Sequence, residues 1–301
     1  MTKIGLKYKA NYYILLLLAF CIPLHKALTP PLIILFLLTS VWNNNFKITN
    51  TINRNNKLFW LFGLYFLYII GLLYSENKGI ALFNLEVKLS LLVFPLSIYI
   101  SSIEIKKYLP KILIAFVEGC ILAIILSCIQ SSVKFYYSGD FNSFLYQEVS
   151  IYHHTSYMSM YINFSIIIVY YFAFNPQKAF FIKPLLSFLI IAGSSIFILL
   201  LASKTGLLVL IVIHLFFLIY WIIKSKNRLR TYSALFLFII VGWLAFSQSV
   251  FIQKRATDLI NVVSGNDHSN MSSTGIRKQV WNASFIVIKE SPVFGQGPGD
   301  V

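Results

Sequence analysis

Arg277 and Trp281 stand one helical turn apart, and a loop of alternating glycines, Gly295-Gln296-Gly297-Pro298-Gly299, follows them. A guanidinium can hold a carboxylate or phosphate through paired N–H groups. Glycines around a fixed proline make a tight loop whose bare backbone a sugar or lipid head group can approach closely; the same residues also serve simply to turn the chain. As a phosphate cradle the loop is weak. A dinucleotide-binding turn follows a strand and opens a helix, whereas this loop follows helical sequence, and the Lys-Ser/Thr pair of a Walker loop is absent. Two further groups carry chemistry: Lys204 in the short turn Ser203-Lys204-Thr205, and His153-His154 ahead of a long apolar run. Each has a plainer alternative. Arg277 can snorkel beside Trp281, Lys204 can be a helix-end cation, and the histidines can be a polar helix start.

The elements that must position these residues are set by composition. With 58% apolar residues, 17% aromatics and 12% charged residues, the chain is too apolar for a soluble globular domain. Apolar runs near the length of a bilayer-spanning helix recur at about 11–24, 28–42, 58–74, 80–100, 110–131, 152–174, 184–202, 205–223 and 231–248. The expectation is an all-α polytopic membrane protein with about nine transmembrane helices. Residues 1–248 form its transmembrane domain and 249–301 a loop segment beyond it.

The net charge of +15 reports topology, not nucleic-acid binding. With a cytoplasmic N-terminus, the inside segments collect Lys3, Lys7 and Lys9, Lys106, Lys107 and Lys111, and Lys224, Lys226, Arg228 and Arg230, among others. The outside segments before the tail hold only Lys26, Lys78, Lys134 and Lys204, while Asp140 and Glu148 are also outside. This bias obeys the positive-inside rule and puts residues 249–301 outside, on the periplasmic face of a cell with two membranes. The first apolar run has no small-residue cleavage site and reads as a retained helix.

Two outside segments are long enough for chemistry: residues 132–151, aromatic and polar, and the tail. Within the tail, Phe251 to Gly265 is a short amphipathic segment, and His268 lies in a polar connector. A helix from Ile276 follows, with Ile276, Val280, Ala283 and Val287 in one stripe, and Ser291-Pro292 ends it. Cys21, Cys120 and Cys128 fall in spans as small buried hydrophobes, with no disulfide or metal-ligand spacing. His214 and Glu118 are ionisable groups inside spans, open to structural or functional use. Glu86 and Lys88 are expected to form an interfacial ion pair.

The stretch from Arg277 to Val301, RKQVWNASFIVIKESPVFGQGPGDV, resembles the signature of the O-antigen ligase and polymerase family. That signature joins an arginine, a tryptophan one turn on, a short helix and a Pro-x-x-Gly-x-Gly-x-Gly loop in a periplasmic segment. YHHTSYMSMYINFSI, Tyr152 to Ile166, resembles the family's histidine-containing helix start. LLLASKTGLLVL, Leu199 to Leu210, resembles its Ser-Arg-small element, with Lys204 where the family usually has arginine. Lysine keeps the charge and loses the bidentate fork.

The resemblance implies a C-type (GT-C-like) membrane glycosyltransferase in the inner membrane with its active face in the periplasm. Such an enzyme transfers a glycan from an undecaprenyl diphosphate carrier to lipid A–core, without metal or other cofactor. A polymerase acting on a growing glycan, a protein O-oligosaccharyltransferase and, from another class, a lipid-linked glycan transporter are the alternatives. Its partners are the carrier-linked oligosaccharide, the acceptor and membrane lipids, not nucleic acid. Arg277 and Lys204 are the implied catalytic cations at the diphosphate, and His154, Trp281, Gly295, Gly297 and Gly299 the implied substrate-binding residues. In the family a His-Asn-type motif and further helices follow the glycine loop. His268 precedes Arg277 and cannot be that motif, so the chain ending at Val301 is expected to be a truncated piece.

Overall fold

The computed structural model describes residues 3–44, 57–101, 105–175, 184–224, 273–293 and 295–300. Among them every regular element is helical: α1 (Lys3–Cys21), α2 (Thr29–Asn44), α3 (Lys57–Tyr74), α4 (Lys78–Val87), α5 (Ser90–Ser101), α6 (Ile105–Ser138), α7 (Tyr146–Val149), α8 (Thr155–Phe174), α9 (Pro184–Leu201), α10 (Lys204–Lys224) and α11 (Ser273–Glu290). The expected spans from the first to the eighth each coincide with one of these helices or, for 80–100, with the pair α4 and α5. The ninth, 231–248, lies outside the described residues, as do the amphipathic segment from Phe251 and the connector holding His268.

Among the described residues five helical stretches are long and apolar enough to cross a membrane: Lys78–Ser101, Lys106–Ser138, Thr155–Phe174, Pro184–Leu201 and Lys204–Lys224. Three shorter apolar helices, Lys9–Cys21, Lys26–Trp42 and Phe62–Tyr74, accompany them. This is the architecture of a multi-pass membrane protein. Helices keep every backbone hydrogen bond internal, which a chain in hydrocarbon requires.

The chain divides into two compact units. One comprises the described residues within 1–18, 27–108 and 267–301. Here α2 and α3 pack on α5, and α3 packs on α4. Phe36 is wholly buried with its ring 6.3 Å from that of Phe94, and the Tyr65 hydroxyl donates to the Leu85 carbonyl at 3.4 Å. Asn77 caps α4, its Oδ1 accepting the Ile80 N–H at 3.1 Å. The expected ion pair of Glu86 with Lys88 is not made. Residues two apart on a helix do not face each other, and the Lys88 ammonium instead sits 4.5 Å from the centre of the Tyr68 ring.

The other unit comprises residues within 19–26 and 109–266. Its core gathers Met158, Ile162 and Ile166 of α8, Phe197, Ile198 and Leu201 of α9, and Leu210 and Ile213 of α10. Close packing and polar contacts hold such helices together where lipid is as apolar as leucine. The Asn163 side-chain amide donates to the Gly206 carbonyl at 3.0 Å, and any Cβ at Gly206 would come within 2.5 Å of Ser159. At the end of α1, a Cβ at Gly119 would overlap the Phe20 carbonyl. Cys21 and Cys120 are buried and Cys128 half-buried, as unpaired thiols. His214 takes a structural place: its Nε2 is 3.2 Å from the Ser195 hydroxyl, and its ring meets Tyr170 edge-on. Glu118, by contrast, stands on an exposed face of α6.

The outside segment 132–151 differs from a simple loop. Nothing in Ser132 to Ser138 breaks a helix, so α6 runs on to Ser138. Gly139 then stops it with φ +65°, its N–H donating to the Phe135 carbonyl at 2.8 Å. A 3-10 turn over Phe141–Phe144 and the short α7 complete the segment.

Candidate functional site

In the second unit, α9 and α10 meet in the turn Ala202-Ser203. Ala202 is buried and adopts φ +47°, a left-handed conformation that costs an alanine about 1–2 kcal/mol. Its N–H donates to the Ile198 and Leu199 carbonyls, both at 3.1 Å, so the strained residue closes the end of α9. The Ser203 hydroxyl accepts the Gly206 N–H at 3.3 Å and lies 3.3 Å from the Thr205 hydroxyl. Ser203 is thus the N-cap of α10 and Lys204 its first residue. Lys204 is half-buried at the positive end of that helix, a place that attracts anions.

His154 is the N-cap of α8, its Nδ1 accepting the Ser156 N–H at 3.3 Å, with the residue exposed. That ring nitrogen is therefore occupied with capping, and Nε2 is the atom left to face a ligand. His153 is half-buried with its ring 5.2 Å from Tyr161. Burial holds its imidazole below the ordinary histidine value, the carbonyls of Ile22 and Pro23 pull the other way, and the charges of His25 and Lys26 add to the lowering.

In the first unit, α11 begins at Ser273 and ends at Glu290, one residue before the Ser291-Pro292 pair. Arg277 and Trp281 are both exposed on it, and so are Ile276 and Val280 of its apolar stripe. Beyond α11 the chain folds back on itself. The Gly295 N–H donates to the Ser291 carbonyl at 3.0 Å, and the Gln296 amide reaches Glu290 at 3.1 Å. Gly295 takes φ +67° with open space around its α-carbon.

Gly297 and Gly299 do something different: they are buried against the turn between α3 and α4. A Cβ at Gly297 would stand 2.5 Å from Ser75, and one at Gly299 would overlap the Asn77 carbonyl. The Gly299 N–H donates to the Ser75 hydroxyl at 3.1 Å, the Asn84 amide donates to the Pro298 carbonyl at 2.6 Å, and Pro298 packs over Gly71. Asp300 completes the dock. Its carboxylate accepts the N–H groups of Glu76, at 3.0 and 3.1 Å, and Asn77, at 3.0 Å. The Asn77 N–H, then the Glu76 N–H, the Ser75 hydroxyl and the Lys78 charge hold this carboxyl below the ordinary aspartate value, against a partial desolvation. The Lys78 ammonium also caps α3, donating to the carbonyls of Leu72 and Leu73 at 2.6 and 2.9 Å.

Each unit thus presents part of the expected set. Lys204 and His154 start helices in one; Arg277, Trp281 and the glycines belong to the other. Sequence reasoning missed Asp300, Ser75, Asn77 and Asn84. The signal available was an acidic residue closing a glycine loop, a group suited to collecting backbone N–H donors. Among the described residues no three His, Cys, Asp or Glu side chains group as metal ligands.

No curated protein and no solved structure matches the chain significantly. A family model does match, and it begins within α9, takes in Lys204 and α11 and ends past the docked loop. Residues 185–301 match the family model described as O-antigen ligase.

Proposed function

We propose that the chain serves as an O-antigen ligase, moving a glycan from undecaprenyl diphosphate to lipid A–core at the periplasmic face of the inner membrane. The observation that carries this reading is the family match over residues 185–301, which contains both cations and the whole glycine loop. The acceptor hydroxyl attacks the anomeric carbon from the side opposite the carrier, a new glycosidic bond forms, and the C–O bond to the diphosphate breaks. The hydroxyl proton leaves to a base, and the carrier departs as a diphosphate anion. Lys204 and Arg277 are assigned to that anion, where charge-assisted bonds gain strength as water is excluded. Trp281 and His154 are assigned to the substrate's flank, and Gly295, Gly297 and Gly299 to the border of the acceptor path. Residues 249–301 are assigned to the periplasmic side.

The test is a gel of lipopolysaccharide from a strain lacking the gene, probed for carrier-linked polymer. Bare lipid A–core with long chains stranded on the carrier supports the ligase. Core bearing a single repeat unit assigns a polymerase instead, and an unchanged ladder rejects both.

A further inference from the structure

We propose that a groove along the outer end of α6 is a binding subsite for a neutral or amino-sugar stretch of glycan. It lies between the last turns of α6 and the returning chain, has a volume of about 580 Å³, and is lined by Gln130, Lys134, Tyr137, Asp140, Asn142 and Glu148. That size is within the range of small-molecule sites, about 300–1,000 Å³.

Its position follows from length. At about 1.5 Å per residue, the 34 residues of α6 exceed the hydrocarbon core of about 30 Å by some 20 Å. With Lys106, Lys107 and Lys111 at the inner end, the turns from Ser132 to Ser138 project into water on the outer side. The groove is built rather than incidental. Gly139 reverses the chain, the Asp140 carboxylate accepts the Asn142 N–H at 2.9 Å, and the Lys134 ammonium pairs with Glu148 at 2.9 Å, tying the return to the helix. Tyr146 holds φ +55° in the same segment, and Val149 is fully buried beneath it.

The lining fits a sugar. A pyranose offers one C–H face and a rim of hydroxyls, each both donor and acceptor. Tyr137 is 82% exposed, touching only Tyr136 edge-on among the described rings, so its face is open to stacking. The side-chain amides of Gln130 and Asn142 make no hydrogen bond among the described residues, and each offers two donors and an acceptor. Asp140 keeps a second oxygen. The charges also select: one ammonium, already paired, faces two carboxylates, a balance that repels diphosphate and uronate and favours neutral or cationic sugars.

The proposal rests on the glycan-transfer reading for the class of ligand. Its test uses the purified full chain in nanodiscs against an array of soluble neutral, amino-sugar and uronate-bearing oligosaccharides. The expected result is binding of neutral or amino-sugar glycans, reduced about tenfold or more by Tyr137→Ala and by Asn142→Ala and kept by Tyr137→Phe. Undiminished binding by both alanine variants overturns it, as does absence of binding by the wild type or a preference for uronates. Loss of lipid association without change in glycan binding for Tyr137→Ala overturns it too, assigning the ring to the membrane. The two readings fail separately. A chain that transfers glycan in cells but binds oligosaccharides equally well as Tyr137→Ala loses the groove and keeps the ligase. A chain without transfer whose glycan binding is abolished by Tyr137→Ala loses the ligase and keeps the groove.

Discussion

The Asp300 carboxylate grips the backbone N–H of Glu76, 224 residues earlier in the chain, with both oxygens at 3.0 and 3.1 Å. A carboxylate spread over backbone donors is a charge-assisted contact that no side chain of Glu76 contributes to. The loop it holds is tied back to the end of α11 by the Gly295 N–H on the Ser291 carbonyl and by the Gln296 amide on Glu290. It also requires the α3–α4 turn and the glycine loop to share one face of the membrane.

The grip is acid-labile. Its N–H donors lower the folded carboxyl below the ordinary value, so its stabilising contribution is complete above about pH 3.9 and is lost as pH falls through the folded value. Asp300→Asn cannot ionise. Thermal unfolding in nanodiscs is expected to show the variant less stable than wild type at pH 7, with the gap closing below about pH 4. A gap that stays constant with pH would assign the contact to packing alone.

Gly299 and Gly295 separate two reasons for glycine. Gly299→Ala drives a methyl into the Asn77 carbonyl, backbone that cannot step aside, and is expected to cost upwards of about 2 kcal/mol and to release the loop. Gly295→Ala meets open space and only the strain of φ +67°, about 1 kcal/mol. Protease cleavage after Phe294 is the readout: rapid in Gly299→Ala, near wild type in Gly295→Ala.

Much of the helical scaffold was legible because apolar runs of bilayer length have no competing interpretation. The Ser291-Pro292 stop and the helix carrying Arg277 were legible for the same local reason. The dock was not, since the partners of Asp300 are main-chain N–H groups, which every residue has, and the separation is long. Nor was the overshoot of α6: polar and aromatic residues from Ser132 to Ser138 look like loop, yet propensity tolerates them until a glycine intervenes. The missing Glu86–Lys88 pair was a misjudgement of spacing, since helix geometry turns those two apart.

His153 gives a second pH dependence, at a different window. Burial beside Tyr161 and the charges of His25 and Lys26 outweigh the Ile22 and Pro23 carbonyls and leave the folded imidazole harder to protonate than the unfolded one. The unfolded chain therefore takes up protons first. The contribution is present above about pH 6.5 and lost as pH falls towards the lower folded value. Unfolding midpoints are expected to drop between about pH 7 and 5 in wild type, and His153→Gln to flatten that slope. An identical slope in the variant would place the titrating group elsewhere.

Ala202 and Lys204 make the last case, where strain and charge adjoin. Ala202→Gly removes a left-handed alanine worth about 1–2 kcal/mol and adds about 0.4–1 kcal/mol of unfolded-state freedom, so the net effect is stabilising. The buried methyl lost is small, and the two hydrogen bonds from the residue's N–H remain. The variant is expected to unfold at higher temperature while Lys204 keeps its place at the head of α10. Lys204→Ala leaves the turn intact and removes the charge. Glycan transfer in cells carrying the variant gene is expected to fall about a hundredfold, the scale of losing one donor to a developing anion. Lys204→Arg, which restores the charge with a wider fork, is expected to recover most of it. Should Ala202→Gly raise stability and yet lower transfer as far as Lys204→Ala does, the strained turn itself sets the lysine's aim. Should Lys204→Ala transfer normally, the cation is a helix-end residue, and Arg277 meets the diphosphate without it.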